Sequence, residues 1–292
     1  MKKKLIKVIM SALVISVLGA AMVGCGKKEE TTTTPGATSD TKKAVTVAIS
    51  GSTSVGPLMD KEAKAYMDKN THVKIEVQQI GSSAGIKNAI DGVSEIGMSS
   101  RDLKDEEKAV VKEEVICYDG IGVVVNPKNT AADLTKDQVK GIYTGKITNW
   151  KEVGGKDAPI VVVSREEGSG TRDAYQEIVG YKAEELVKSA QISQGNGAVK
   201  TAVSTNENAI GYVSFEVMFK DGKPDTAIKA LKVGGVEATA ANVLNKTYKI
   251  SRPFLVVYKD GKLSQTSKDF IAYIKSEEGQ KIVKDSGAIT LK

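Results

Sequence analysis

Three glycine-flanked turns hold the hydroxyls best placed to do chemistry: GSTSVG at 51–56, GSSAG at 81–85 and EGSGT at 167–171. Each follows a strand-like run and leads into a helix-like one. A helix N-terminus offers unpaired N–H donors and about half a positive charge, so it attracts anions. Serine and threonine hydroxyls add donors, and glycine lets the backbone come close. Pro57 suits a first helical turn, where its missing N–H has no intrahelical partner to lose. One cation, Arg165, precedes the third turn, and its guanidinium could fork onto two oxygens. A single such turn reads as an ordinary N-cap. Three in the same place of the strand–turn–helix unit favour a site that wraps an oxyanion in neutral donors.

A second chemistry competes for the same residues. Gly81-Ser82-Ser83-Ala84-Gly85 fits the G-x-S-x-G nucleophile elbow, which would make Ser83 the nucleophile of a secreted hydrolase or phosphatase. A triad needs a histidine base. The chain has one, His72, and it precedes the serine, against the Ser…Asp…His order of that fold. A Ser–Lys dyad remains open. EGSGTR lacks the Gly-Lys-Ser/Thr of a P-loop. One histidine and two cysteines supply no transition-metal site, and no metal or cofactor is expected. A single tryptophan among 5% aromatics disfavours a sugar cleft. The mixed-sign stretch 104–114 reads as a solvated helix face.

The elements that must position these turns follow from periodicity. Residues 44–50, 73–80, 95–99, 160–164 and 191–193 read as strands. Helical patterns run over 57–69, from the second turn to 91, over 168–179 and over 198–204, with a last helix at 267–285. Strand, turn and helix in repetition imply an α/β class with parallel strands and helical crossovers, whose ligands bind at the strands' carboxyl ends. Two apolar runs, 115–126 and 249–258, flank the middle of the chain. They read as two crossings between lobes.

The N-terminus sets the compartment. Four lysines precede an uncharged run at 8–23, followed by Gly24 and Cys25 so that the segment ends in Met22-Val23-Gly24-Cys25. The run is short of the ~20 residues that span a bilayer. Small residues before a cysteine form a lipobox, with Met22 where leucine is usual. Residues 1–24 are then a signal peptide, Cys25 is the lipidated N-terminus, and 25–43 is a polar tether reaching roughly 20–25 Å. Lys2, Lys3, Lys4 and Lys7 leave with the signal, which lowers the formal charge from +6 to +2. The basic balance therefore gives no argument for nucleic acid. Cys117 lies in an apolar run and is expected as a buried free thiol.

Longer matches then come into view: GSTSVGPLM (51–59), IGSSAGIK (80–87), IGMSSRDL (96–103), IYTGKITNWKEVGG (142–155), SREEGSGTRDAY (164–175), NAIGYV (208–213) and RPFLVVY (252–258). In these segments the chain resembles the phosphate-binding proteins of bacterial phosphate ABC transporters. The resemblance implies a type II periplasmic-binding fold, two α/β lobes joined by two crossover strands, with 44–122 plus 252–292 as one lobe and 123–251 as the other. It implies a binding protein rather than an enzyme, which encloses inorganic phosphate between the lobes. It implies delivery to ABC permease subunits from the outer face of the cytoplasmic membrane, by a monomer held there through its lipid alone. The family's ligand positions fall on Thr53, Ser54, Ser82, Arg165, Ser169, Gly170 and Thr171. One further position, an aspartate in many relatives that accepts the proton of phosphate, is Ser100 here. That departure, with Arg101 beside it and Glu167 nearby, reopens how phosphate is told from sulfate. Sulfate, molybdate or tungstate is the alternative ligand.

Overall fold

The structure is a computed structural model and describes residues 43–220 and 223–291. The signal segment, Cys25 and nearly all of the tether lie outside the described residues.

The chain begins as alternating strands and helices: β1 (Val45–Gly51), α1 (Gly56–Lys69), β2 (Val73–Gln79), α2 (Ser82–Asp91) and β3 (Ile96–Ser99). A long strand, β4 (Lys112–Val125), follows. The middle of the chain repeats the unit with β5 (Val161–Arg165), α3 (Gly170–Val179), β6 (Gln191–Ser193), α4 (Gly195–Thr205) and β7 (Ala209–Ser214). The chain returns on β8 (Ser251–Tyr258) and ends with α5 (Gln265–Ile274) and α6 (Glu277–Asp285).

The main sheet runs in the order β2-β1-β3-β8-β4-β7-β5-β6. It contains two parallel groups. β1 pairs parallel with β2 and β3, and β5 pairs parallel with β6 and β7. Between them, β8 and β4 run antiparallel to each other and to their outer neighbours β3 and β7. Parallel neighbours need long crossovers, and the helices supply them.

Three apolar clusters form on this frame, two of them large. One gathers Val47, Ile49, Leu58, Met59, Met98, Phe254 and Phe270. The other gathers Val123, Tyr143, Trp150, Tyr175, Tyr212 and Phe215. β4 feeds both, with Ile116 and Cys117 in the first and Ile121 and Val123 in the second. The apolar runs noted in the sequence are thus the strands that pass between the clusters. Cys117 is fully buried and unbridged, and burial pushes its thiol up well above its ordinary value.

Two sequence expectations need correction. The charged stretch 104–114 is helical only over Asp105–Lys108. Lys112 already pairs with Tyr258 in the sheet, so strand pairing overrides the helical spacing of its charges. The last helix is two helices. Ser276 caps the second by accepting the Gly279 N–H at 3.3 Å, which a continuous helix does not allow.

Glu62 on α1 and Glu216, just past β7, are buried carboxyls. Burial pushes both from the ordinary 4.5 up to about 8. A carboxyl raised in the folded state is held protonated, and ionising it costs stability. That contribution is whole below pH 4.5 and is lost as pH rises through about 8. Urea midpoints should therefore fall from about pH 4.5 to about pH 8 and level off above it, and fall less in Glu62→Gln.

Candidate anion-binding site

All three turns sit at carboxyl ends of parallel strands, after β1, β2 and β5. The fold brings them into contact. Ser83 N–H of the second turn donates to the Gly168 carbonyl of the third at 3.1 Å. Ser54 Oγ of the first lies 2.8 Å from Thr171 Oγ1 of the third. Ser54, Ser82, Ser100, Arg165, Ser169 and Thr171 are each at most 1% exposed, and Thr53 is half-buried.

The hydroxyls form a directed network. Ser52 Oγ accepts from the N–H groups of Ser54 and Val55, so its own proton goes to Ser100 Oγ at 2.8 Å. Ser82 Oγ accepts the Ser100 N–H at 3.2 Å and lies 3.3 Å from Ser100 Oγ. Ser54 Oγ accepts from Asn196 Nδ2 at 2.9 Å and from Arg252 Nη2 at 3.1 Å. A hydroxyl has one proton and two acceptor positions, so Ser54 donates to Thr171. Ser169 caps α3, accepting the Arg172 N–H at 3.3 Å. No side chain caps the first turn of α2.

Arg165 lies at the end of β5. Its Nε and Nη2 fork onto Glu166 at 2.8 and 2.7 Å, and Nη2 also donates to Thr53 Oγ1 at 3.1 Å. Its Nη1 is buried and has no hydrogen-bond partner among the described residues. Burial acts to raise the Glu166 carboxyl, and the Arg165 fork more than offsets it, holding the group below its ordinary value. Glu166, not the exposed Glu167, is the acid that holds Arg165.

Arg101 is held by two carboxylates and, among the turn hydroxyls, bonds that of Ser83. It forks onto Glu107 at 2.7 and 2.8 Å, and its Nε lies 3.0 Å from Asp173 Oδ2. Its Nη2 donates to Ser83 Oγ at 3.3 Å. Among the described residues no Lys, His or carboxylate hydrogen-bonds Ser83. His72 precedes β2 and Ser83 follows it, so a strand of seven residues separates them, roughly 20 Å. An elbow serine without a base in reach gains no nucleophilicity.

Gly170 shows how closely the turns pack. A Cβ there would overlap Ser82 Oγ and come within 2.8 Å of Ser100 Oγ. Gly170→Ala should therefore force the second and third turns apart. The expected cost is about 1–3 kcal/mol of anion binding, read by titration calorimetry, with circular dichroism unchanged. A groove of about 1020 Å³ lies over the turns, lined by Thr53, Gly81, Ser83, Glu166, Gly168 and Arg172 among others.

Five participants were not picked out in the sequence: Ser52, Asp119, Glu166, Asn196 and Arg252. Ser52 lay inside the first turn. Asn196 opens α4 after β6, in a fourth strand–glycine–helix unit that could have been noticed. Arg252 heads the RPFLVVY segment, and nothing local distinguishes it or Asp119. Among the described residues no group of three His, Cys, Asp or Glu gathers as for a metal ion.

A profile of the PBP superfamily domain matches residues 31–278. The phosphate-binding protein PstS of Bacillus subtilis (strain 168) is 33% identical over 294 residues, covering 99% of this chain and 94% of that protein. A crystal structure from Clostridium perfringens, described as a phosphate ABC transporter substrate-binding protein with bound phosphate, is 61% identical with a TM-score of 0.81. That match covers 85% of this chain and 100% of the other. An ABC-type phosphate transport receptor from Vibrio cholerae is 36% identical with a TM-score of 0.71, over 84% and 99% of the two chains. The curled α/β sheet is the type II periplasmic-binding fold. By its turns, its sheet order and its full-length relatives, the chain belongs to the PBP superfamily and, within it, to the PstS family of phosphate-binding proteins.

Proposed function

We propose that the protein captures inorganic phosphate between two lobes and delivers it to an ABC importer. The convergence of three hydroxyl-rich turns on one another, beside a buried guanidinium whose Nη1 has no hydrogen-bond partner among the described residues, carries this reading. The ligand set is Thr53, Ser54, Ser82, Ser100, Arg165, Ser169, Gly170 and Thr171. The lobes divide at 44–122 plus 252–292 and at 123–251, and the two large apolar clusters support that division. Relatives named for phosphate binding and transport support the ligand and the permease partner. The protein binds and does not turn over its ligand. Ser83, with Arg101 as its hydrogen-bond donor, lacks the base that a hydrolase needs.

Calorimetry on protein stripped of ligand by unfolding and refolding tests this directly. Phosphate and its mimic arsenate should bind one per chain and more tightly than sulfate or molybdate. No heat with phosphate, together with turnover of an activated ester or phosphomonoester, would favour the Ser83 hydrolase instead.

Among the described residues no helix is long and apolar enough to cross a membrane. The anchor is the lipid on Cys25, on the outer face of the cytoplasmic membrane. Cys25→Ser should abolish partitioning into the detergent phase. A mutant that still partitions there would overturn the lipid anchor.

A further inference from the structure

Arg165 and Arg252 are built alike. Each is buried at the end of a strand or crossing. Each sets its Nε and Nη2 edge against a carboxylate, Glu166 for Arg165 and Asp119 for Arg252. Each gives the second Nη2 proton to a hydroxyl of the first turn, Thr53 in one case and Ser54 in the other. Each leaves a buried Nη1 with no hydrogen-bond partner among the described residues. A guanidinium is a planar fork with five N–H donors. When its Nε edge meets a carboxylate, the Nη1–Nη2 edge looks the other way. For Arg252 that edge already touches Ser54, a residue in the centre of the hydroxyl network. Arg165 is close enough to repel the charge on Arg252.

We propose that Arg252 is a second cation of the same anion site, with its free Nη1 edge facing the bound oxyanion and Asp119 as its positioning carboxylate. The inference rests on the functional reading above and deepens it. Arg252 and Asp119 stand directly opposite each other on β8 and β4, the two strands that pass between the apolar clusters. Asp119 also accepts the Ser214 hydroxyl at 2.9 Å and the Phe215 N–H at 3.2 Å, both at the end of β7. Arg252 reaches Ser54, before α1. The pair therefore ties both crossing strands to both halves of the site. An anion drawing on Arg252 engages the crossing strands as well as the turns. A buried N–H of a guanidinium left without an acceptor is costly, and an oxyanion relieves that cost twice over, at Arg165 and at Arg252.

The rival reading is structural: Arg252 only neutralises Asp119. The double variant Arg252→Met/Asp119→Asn separates the two. It removes both charges together, and Asn keeps an acceptor for the Phe215 N–H. Phosphate titration by calorimetry is read beside thermal unfolding for wild type, the double variant and Arg252→Lys. Contact with the anion predicts a double variant that binds phosphate roughly 10- to 100-fold more weakly. Arg252→Lys keeps the charge but loses the fork. It should lie between the two, at an unfolding temperature close to wild type. A folded double variant binding within about twofold of wild type would overturn the proposal, since one charge-assisted bond is worth more than that. If the double variant does not fold, Arg252→Lys with wild-type affinity overturns it just as well. Wild-type protein that binds none of phosphate, arsenate or sulfate would overturn the functional reading itself. Wild-type binding with unaffected variants would overturn only this inference.

Discussion

Arg165→Ala should lose about 2–5 kcal/mol of phosphate binding, the largest single effect expected in the molecule. The side chain is 1% exposed and is already committed on one edge to Glu166. Its removal deletes a desolvated, charge-assisted donor from the anion. It also strips Glu166 of its partner in a half-buried position, where that carboxylate still accepts the Gly195 N–H at 3.1 Å. The anion would then face an unbalanced negative charge as well as a missing positive one. Arg165→Lys should recover only part of the loss, because an ammonium cannot hold Glu166 and Thr53 in the same fork. Ser169→Ala should cost less, about 1–3 kcal/mol. Its hydroxyl caps α3, and the backbone donors of that helix remain. Titration calorimetry on stripped protein reads all three. Arg165→Ala with wild-type affinity would contradict the site.

Ser100→Asp should change selectivity more than any other substitution. Phosphate at neutral pH carries one or two protons, and sulfate carries none. A carboxylate in the site accepts the phosphate proton and repels sulfate. Ser100 offers a hydroxyl instead, which already accepts from Ser52 and sits beside Ser82. A hydroxyl can donate or accept, so it tolerates both anions. Arg101, next in sequence, does not compensate, since Glu107 and Asp173 already balance it. Glu167 is exposed, and Glu166 is held by Arg165. In wild type, sulfate should therefore compete measurably with phosphate. In Ser100→Asp, sulfate should lose on the order of 2 kcal/mol or more relative to phosphate, the scale of like charges brought together. Wild-type protein indifferent to a thousandfold excess of sulfate would mean that another acceptor stands in for the carboxylate.

The parts of the site that sequence could reveal are those carried by local pattern. GSTSVG, GSSAG and EGSGT are each written in consecutive residues, and each lands where a strand hands over to a helix. Arg165 adjoins one of them. Their convergence is a property of the sheet order, in which β1 and β5 lie in separate parallel groups. Spacing along the chain does not encode that order. Asp119 and Arg252 are 133 residues apart and meet only through the β4–β8 register. Each alone looks like any charged residue in an apolar strand. The choice between Glu166 and Glu167 was equally invisible. The two are adjacent, and only the path of the chain after β5 decides which one turns back to the guanidinium. Among the elements, the strong apolar runs and the glycine-terminated helices were legible. α2, for instance, ends on Gly92 in the left-handed region. The stretch 104–114 was legible only over Asp105–Lys108, because beyond it the helical charge spacing gave way to pairing with a distant strand.

The account stands most directly on where the anion sits. A crystal grown with arsenate, phased for arsenic anomalous scattering, locates it without any assumption about affinity. The account predicts one strong peak per chain, within hydrogen-bonding distance of Ser54, Ser82, Arg165 and Thr171. A peak confined to the outer groove, or none beside these residues at saturating arsenate, would contradict it.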